Sequence, residues 1–324
     1  MSRTFHRRYF FGALAGAAAI SCSKRPTQGS LSPVRRDRLV SIVRAQSYGH
    51  ELVDTIRRIL ADHQIAVTGK RILLKPNLVE FSAAAPINTN PALVSATVDA
   101  FYSLGAANVK IAEGPGHRRM TLDMAEAAGF FSAIPHFEEI FTDLNTDDVH
   151  HVNLTNPVSR LKELYLPNTV FDCDLLVSLP KMKTHHWAGA TLSMKNLFGV
   201  VPGSVYGWPK NVLHWAGIDE SIVDLQHLFP RQFAIVDGIE AMEGNGPILG
   251  TAKHMGLLIA GDHPPSVDAT CCQIMRIDPA KVRYLTLTSE QTGWNWNTIK
   301  QTGESVAAVQ SLFALHPDLQ HFRL

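Results

Sequence analysis

Residues 71–116 read RILLKPNLVEFSAAAPINTNPALVSATVDAFYSLGAANVKIAEGPG, and this stretch decides the fold. Arg71–Leu74 is a short apolar run of strand character. Pro91–Ser103 is a helical stretch that opens on proline, whose missing N–H costs nothing in a first turn. Asn108–Ala112 is a second apolar run. A strand, a crossover helix and a second strand make a βαβ unit, whose handedness is right-handed. Both strands stop on polar and glycine residues, Lys75-Pro76-Asn77 in one case and Glu113-Gly114-Pro115-Gly116 in the other.

Working outward, Leu39–Val43 reads as a further strand of the same unit. His50–His63 places Leu52, Val53, Ile56, Ile59 and Leu60 on one helical face. Towards the C-terminus, Asp174–Ser178, Phe233–Val236 and Met255–Ala260 read as strands, and Asp219–Leu228 and Ser266–Met275 as helices. The alternation predicts an α/β fold, a mostly parallel layered sheet with helices on both faces. Its span is 38–324, as one domain or as two lobes.

Composition sets limits on function. Of 324 residues 45% are hydrophobic and only 18% are charged, which supplies a core and excludes disorder over most of the chain. A net charge of +1 leaves no electrostatic footprint for nucleic acid. No apolar run approaches the roughly 18 residues a membrane span requires.

The N-terminus carries an address. Arg7-Arg8, then Phe10-Phe11, the small apolar run Gly12–Ile20 and Ser21-Cys22 have the layout of an export signal. The arginine pair resembles the twin-arginine type, which moves folded proteins. Residues 1–22 are therefore expected to be the signal and 23–37 a flexible tether. Cys22 stands either as a lipidated anchor or beside a cleavage point. The expected location is the periplasm or cell envelope, by the twin-arginine route. Of the other cysteines, Cys173, Cys271 and Cys272 lack metal-site spacing, and they read as buried thiols or, for Cys173, as a disulfide partner.

Polar residues gather where strands end. Beside the two ends above, Leu175–Leu179 leads into Lys181, Lys183 and His185. Phe233–Val236 leads into Asp237-Gly238 and then Glu243, and Ile259-Ala260 leads into Gly261-Asp262. In a parallel sheet all five points lie on the carboxyl edge, where such sheets bind ligands.

The densest segment is Lys181–Gly203, KMKTHHWAGATLSMKNLFGVVPG. A helix opening at Thr191 would leave N–H groups free for an anion, with Lys195 about one turn on. Clustered lysines depress one another's pKa, which suits a base or nucleophile. No protein-built metal site is expected. The pairs His185-His186 and His150-His151 should point their rings apart, and no HExxH pattern occurs. The ligands of such a site would be Glu113, His185, Asp237 and Glu243. GxSxG, P-loop and dinucleotide fingerprints are likewise missing from the sequence.

Together, KPNLV (75–79), TNP (89–91), IAEGPG (111–116), LPKMKTH (179–185), TLSMKNLFGVVPG (191–203), DGIEAMEGNGPILG (237–250) and GDHPPSVDA (261–269) resemble the family catalogued as domain of unknown function 362. Many members carry a four-cysteine iron–sulfur module; this chain has no such cysteine run, so no iron–sulfur cluster is expected. The order Lys183, His185, Gly189, Lys195, Pro202, Gly203 is more distantly similar to nickel-pincer lactate racemases. That similarity implies a lysine anchoring a nucleotide-derived cofactor, with histidines as bases and nickel ligand.

Two functions follow. The first is an exported enzyme that binds a small anionic molecule, or a phosphate-bearing cofactor. Lys183, His185, Lys195 and Glu113 would be its catalytic groups, and Lys75, Asn77, Thr191, Asn196, Asp237 and Glu243 its ligand-binding groups. The second is a non-catalytic periplasmic binding or scaffold protein using the same cleft.

Overall fold

The computed structural model describes residues 38–116 and 120–324. The signal, the tether and Cys22 lie outside the described residues. The described residues form one compact unit.

The strands, in chain order, are β1 (Leu39–Arg44), β2 (Arg71–Pro76), β3 (Asn108–Glu113), β4 (Phe141–Asp143), β5 (Val149–Asn153) and β6 (Glu163–Pro167). They continue with β7 (Leu175–Leu179), β8 (Lys181–His185), β9 (Gly189–Thr191), β10 (Gln232–Asn245), β11 (Leu249–Gly261) and β12 (Lys300–Gly303). The main sheet runs β12-β1-β11-β10-β7-β2-β3-β4, with β8 and β9 branching from β10. β5 and β6 form a separate hairpin.

The helix Pro91–Ser103 joins β2 to β3 as expected, and the two strands pair in parallel from Arg71↔Asn108 to Leu74↔Ile111. Asn90 caps this helix by accepting from Ala92 N–H, and Pro91 occupies the first turn. β1 is not a neighbour of β2. It crosses to the far side of the sheet and pairs with β11 and β12.

Both faces of the sheet are covered, and the alternation of side chains shows it. Ile72, Leu74, Val177, Phe233 and Ile235 pack with the helices Leu52–Asp62 and Pro91–Ser103. Leu73, Leu176, Ala234 and Val236 face the other way, toward the helices Ile218–Leu228 and Pro264–Ile274. Each strand therefore reads as continuously apolar, as a sheet buried on both sides requires. The fold is α/β with a mostly parallel sheet.

One expectation fails here. β11 runs antiparallel to both β10 and β1, so its end at Gly261-Asp262 lies on the opposite edge from the other four strand ends. The short connection Gly246–Ile248 permits only a hairpin. Pairing of β10 with β11 extends out to Asn245↔Leu249, through residues too polar to read as strand.

Candidate functional site

The carboxyl ends of β2, β3 and β8 open on a cavity of about 750 Å³. Eight of the ten expected site residues line it: Lys75, Asn77, Glu113, Lys183, His185, Thr191, Lys195 and Asn196. Asp237 and Glu243 do not.

Lys75 on β2 and Glu113 on β3 are adjacent because their strands pair. They form a buried ion pair at 2.5 Å, Nζ to Oε2. Lys75 Nζ also donates to Pro76 O at 3.1 Å and to Asn196 Oδ1 at 3.3 Å, so all three of its N–H groups are engaged. Glu113 accepts in addition from Leu78 N and Gly114 N. Lys75 thus has no N–H left for a ligand, and Glu113 is held as the counter-charge of its ammonium. The pair instead fixes the cavity wall, and Asn196 ties it to β7 by donating to Lys75 O and Ser178 Oγ. Burial lowers the Lys75 ammonium, and the Glu113 carboxylate opposes that shift.

Gly199 shows how closely the backbone approaches this pair. A Cβ there would lie 1.9 Å from Glu113 Oε1 and 2.5 Å from Lys75 Nζ. Gly199→Ala should therefore split the ion pair and cost about 3–5 kcal/mol, the range for uncoupling a buried pair. Urea denaturation checks this, and an unchanged midpoint would refute the tight packing.

Strand alternation puts Lys181, Lys183 and His185 on one face of β8. They have different fates. Lys181 pairs with Asp237 at 2.6 Å and also donates to Tyr48 Oη and Glu240 O. Asp237 takes further bonds from Tyr48 Oη and Asn90 N. This second buried pair belongs to the sheet and not to the cavity, because β10 continues past Asp237 instead of ending there. Glu243, further along β10, pairs with Lys253 and accepts from Ala314 N. The four residues named as a metal set are thus not brought to one point. Among the described residues, no cluster of three or more His, Cys, Asp or Glu side chains could hold a metal ion.

Lys183 is fully buried and donates to Ile87 O at 2.8 Å, and among the described residues no carboxylate pairs with it, although Glu113 is near enough to oppose the loss of its proton. Burial, reinforced by Lys181 and Lys195, holds it well below the ordinary lysine range. Lys195 lies with its Nζ 3.6 Å from the Phe198 ring centroid, and no hydrogen bond from the described residues engages it. Burial and then Lys75 bring it down to about 7. His185 Nδ1 accepts from Trp187 N and Ala188 N, so the neutral ring carries its proton on Nε2. Burial and then Lys195 hold the ring neutral. His185 is therefore set up as a donor at Nε2 and not as a base.

Thr191 does not open a helix. It ends β9, opposite Lys183 of β8, and only the short 3₁₀ turn Lys195–Val200 follows. The N–H groups expected to face an anion are instead taken by Asp268. That buried carboxylate accepts from Ser193 N and Oγ and from Met194 N. Burial raises it to about 7 despite these bonds. Asp268 fixes the turn that carries Thr191, Lys195 and Asn196. Its only sequence signal was its place in GDHPPSVDA.

Lys210 was missed altogether. It lines the cavity, donates to Gly114 O, and is brought to about 7 by burial, against the pull of Glu113. No motif marks it, since Trp208–Asn211 reads as an ordinary loop. The histidine pair also differs from expectation. β8 stops at His185 and the chain turns, so the His185 and His186 rings stack at 5.0 Å. Asn77 Oδ1, Thr191 Oγ1 and His214 Nδ1 are buried at the cavity and find no partner within the described residues. Buried polar atoms of this kind call for an outside partner. Cys173, Cys271 and Cys272 are free thiols.

Comparison with known proteins adds three findings. The chain is 28% identical over 257 residues to a thylakoid-associated protein, sll1697, of Synechocystis sp., which covers 75% of this chain and 76% of that protein. The lactate racemase apoprotein from Thermoanaerobacterium thermosaccharolyticum matches at 14% identity and a TM-score of 0.46, over 76% of this chain and 59% of that one. The model of the domain of unknown function DUF362 matches residues 72–273, a span from β2 through the helix bearing Asp268 that contains Glu113 and all four cavity lysines. The chain belongs to the DUF362 family.

Proposed function

We propose that this protein is an enzyme acting on a small carboxylate or phosphate-bearing molecule held in the cavity at the carboxyl edge of the sheet. One observation carries the reading: Lys75, Lys183, Lys195 and Lys210 converge on a single cavity whose one buried acid is Glu113. The other acid there, Asp318, lies at the rim with its side chain 84% exposed. Lysines gathered in such excess are costly to bury unless an anion joins them.

The open polar groups assign the roles. Lys195 and Lys210 hold the anion, Thr191 Oγ1 donates to it, and Asn77 Oδ1, whose own Nδ2 is spent on Asn196, accepts from a hydroxyl or N–H of the same molecule. Lys183 is the neutral amine in reach of the cavity, and its lone pair removes a proton from the carbon beside the carboxylate. His185 donates from Nε2 to the oxygen on which charge develops. The phosphate of a cofactor would sit on the same ammonium groups. A neutral amine beside a donor histidine favours turnover over storage of a ligand, which would need only fixed positive charge.

The location belongs to the same proposal. The Arg7-Arg8 signal sends the protein to the periplasm or cell envelope, with Cys22 as the point of anchoring or cleavage. A thylakoid-associated relative fits work at a membrane surface. No helix among the described residues is long and apolar enough to cross a membrane.

Sulfate is a suitable probe because its charge does not change with pH. Calorimetry should show binding that weakens roughly 10- to 100-fold in Lys195→Ala. Lys195 and Lys210 carry charge below about pH 7 and lose it above. Sulfate affinity should therefore be highest below pH 7 and fall above it by about tenfold per pH unit for each proton taken up. Equal binding by parent and variant, flat with pH, would overturn the assignment. Deuterium uptake beside the carboxylate of 2-hydroxy acids reads the chemistry, and Lys183→Ala should abolish it. Sulfate binding with no exchange by the parent would leave a binding protein.

A further inference from the structure

We infer that the ligand of this cavity carries a flat aromatic ring next to its anionic group. The inference rests on the anion reading above and specifies the rest of the molecule.

The cavity lining has two parts. Lysine side chains crowd the ends of β2 and β8 and the turn and loop that carry Lys195 and Lys210. Beyond them the wall is a run of rings in mutual contact. His186 meets Trp187 edge-on at 4.6 Å, Trp187 meets His214 at 5.6 Å and 73°, and His214 meets Phe198 at 5.8 Å and 90°. His185 stacks on His186 at 20° between planes. Every one of these rings lines the cavity.

Trp187 stands apart from the others. Its surface is 62% exposed at the cavity, whereas Trp215, 74% exposed, does not line the cavity and Trp294 is buried in the core. An indole left open beside a cavity keeps apolar surface in water that a bound ring would cover. Size points the same way. At about 30 Å³ per water-sized group, an anion of five or six heavy atoms fills only a small part of this space. A volume near 750 Å³ instead falls in the range of cavities that enclose larger organic ligands. Rings offer little to a second ionic group, but stacked and edge-on geometries both suit a planar body.

The test uses three sulfonates of constant charge: methanesulfonate, benzenesulfonate and cyclohexanesulfonate. Calorimetry should give benzenesulfonate at least about tenfold tighter than methanesulfonate, with cyclohexanesulfonate between them. Trp187→Ala should collapse the benzene-to-methane ratio toward one, and Trp187→Phe should restore most of it. Because Trp187 is exposed, neither change threatens the fold. Equal affinity for benzenesulfonate and methanesulfonate would overturn the inference while leaving the anion site standing. So would cyclohexanesulfonate matching benzenesulfonate, which would show an apolar wall with no preference for a flat ring. Failure of all three to bind would bring down the anion reading and this inference with it.

Discussion

Lys183→Met should unfold at a higher temperature than the parent at pH 7 and should lose all turnover. The side chain is fully buried, is paired with no acid among the described residues, and donates to Ile87 O. Its folded pKa lies well below the ordinary range because burial penalises the ammonium. In the unfolded chain the same amine holds a proton up to about pH 10.4. Between those two values the unfolded state binds more protons, so the parent gains stability as pH rises, by about 1.4 kcal/mol per pH unit per lysine. Methionine of similar length removes one such proton from the balance. The pH slope should shrink by one proton, and stability at pH 7 should rise by about 1–4 kcal/mol, the gain seen when buried ionic groups are replaced by apolar ones. The unsatisfied Ile87 carbonyl takes back about 1 kcal/mol. Thermal melts of both proteins from pH 6 to 9 decide the matter. A variant less stable than the parent, with the slope unaltered, would show that Lys183 is not a buried neutral amine.

Glu113→Ala should lose about 3–5 kcal/mol of stability and all anion binding. Removing the carboxylate leaves Lys75 buried with no counter-charge and strips Leu78 N and Gly114 N of their acceptor. The loss should be recovered in large part by adding Lys75→Met, because the double variant no longer buries an unpaired charge. Urea titration of the two single variants and the double variant closes this cycle. Additive losses would show that the two side chains are not coupled. Lys183→Met and Glu113→Ala thus move stability in opposite directions although both residues line one cavity. The difference comes from pairing: one removes an unpaired base, the other creates one.

The unit built on residues 71–116 was legible because each of its signals is local: apolar runs, a proline-first helix, and polar residues where the strands stop. The same logic found Lys75, Glu113, Lys183 and His185. Asp237 misled because Asp-Gly after an apolar run looks like a strand end, whereas β10 runs on to Asn245 with Asp237 paired to Lys181 inside it. Thr191 misled because the partner of the following N–H groups, Asp268, is remote in sequence. Lys210 gave no local sign; it reaches the cavity through a loop whose path depends on the whole fold. The direction of β11 was hidden by a polar stretch that pairs only because β10 lies beside it.

The long hairpin of β10 and β11 has a consequence for how this architecture diversifies. Its tip, Pro247 to Leu249, forms one side of the entrance, and Gly246 O holds it to His186 N. The lysines, His185 and Glu113 of the cavity all come from other segments. Adding a pair of residues to each strand would push the rim outward by about 7 Å while every existing side chain kept its face. An insertion of one would turn the tip inside out. Descendants of this ribbon can therefore trade one guest for another in steps of two, with the lysine-lined chamber beneath left as it is.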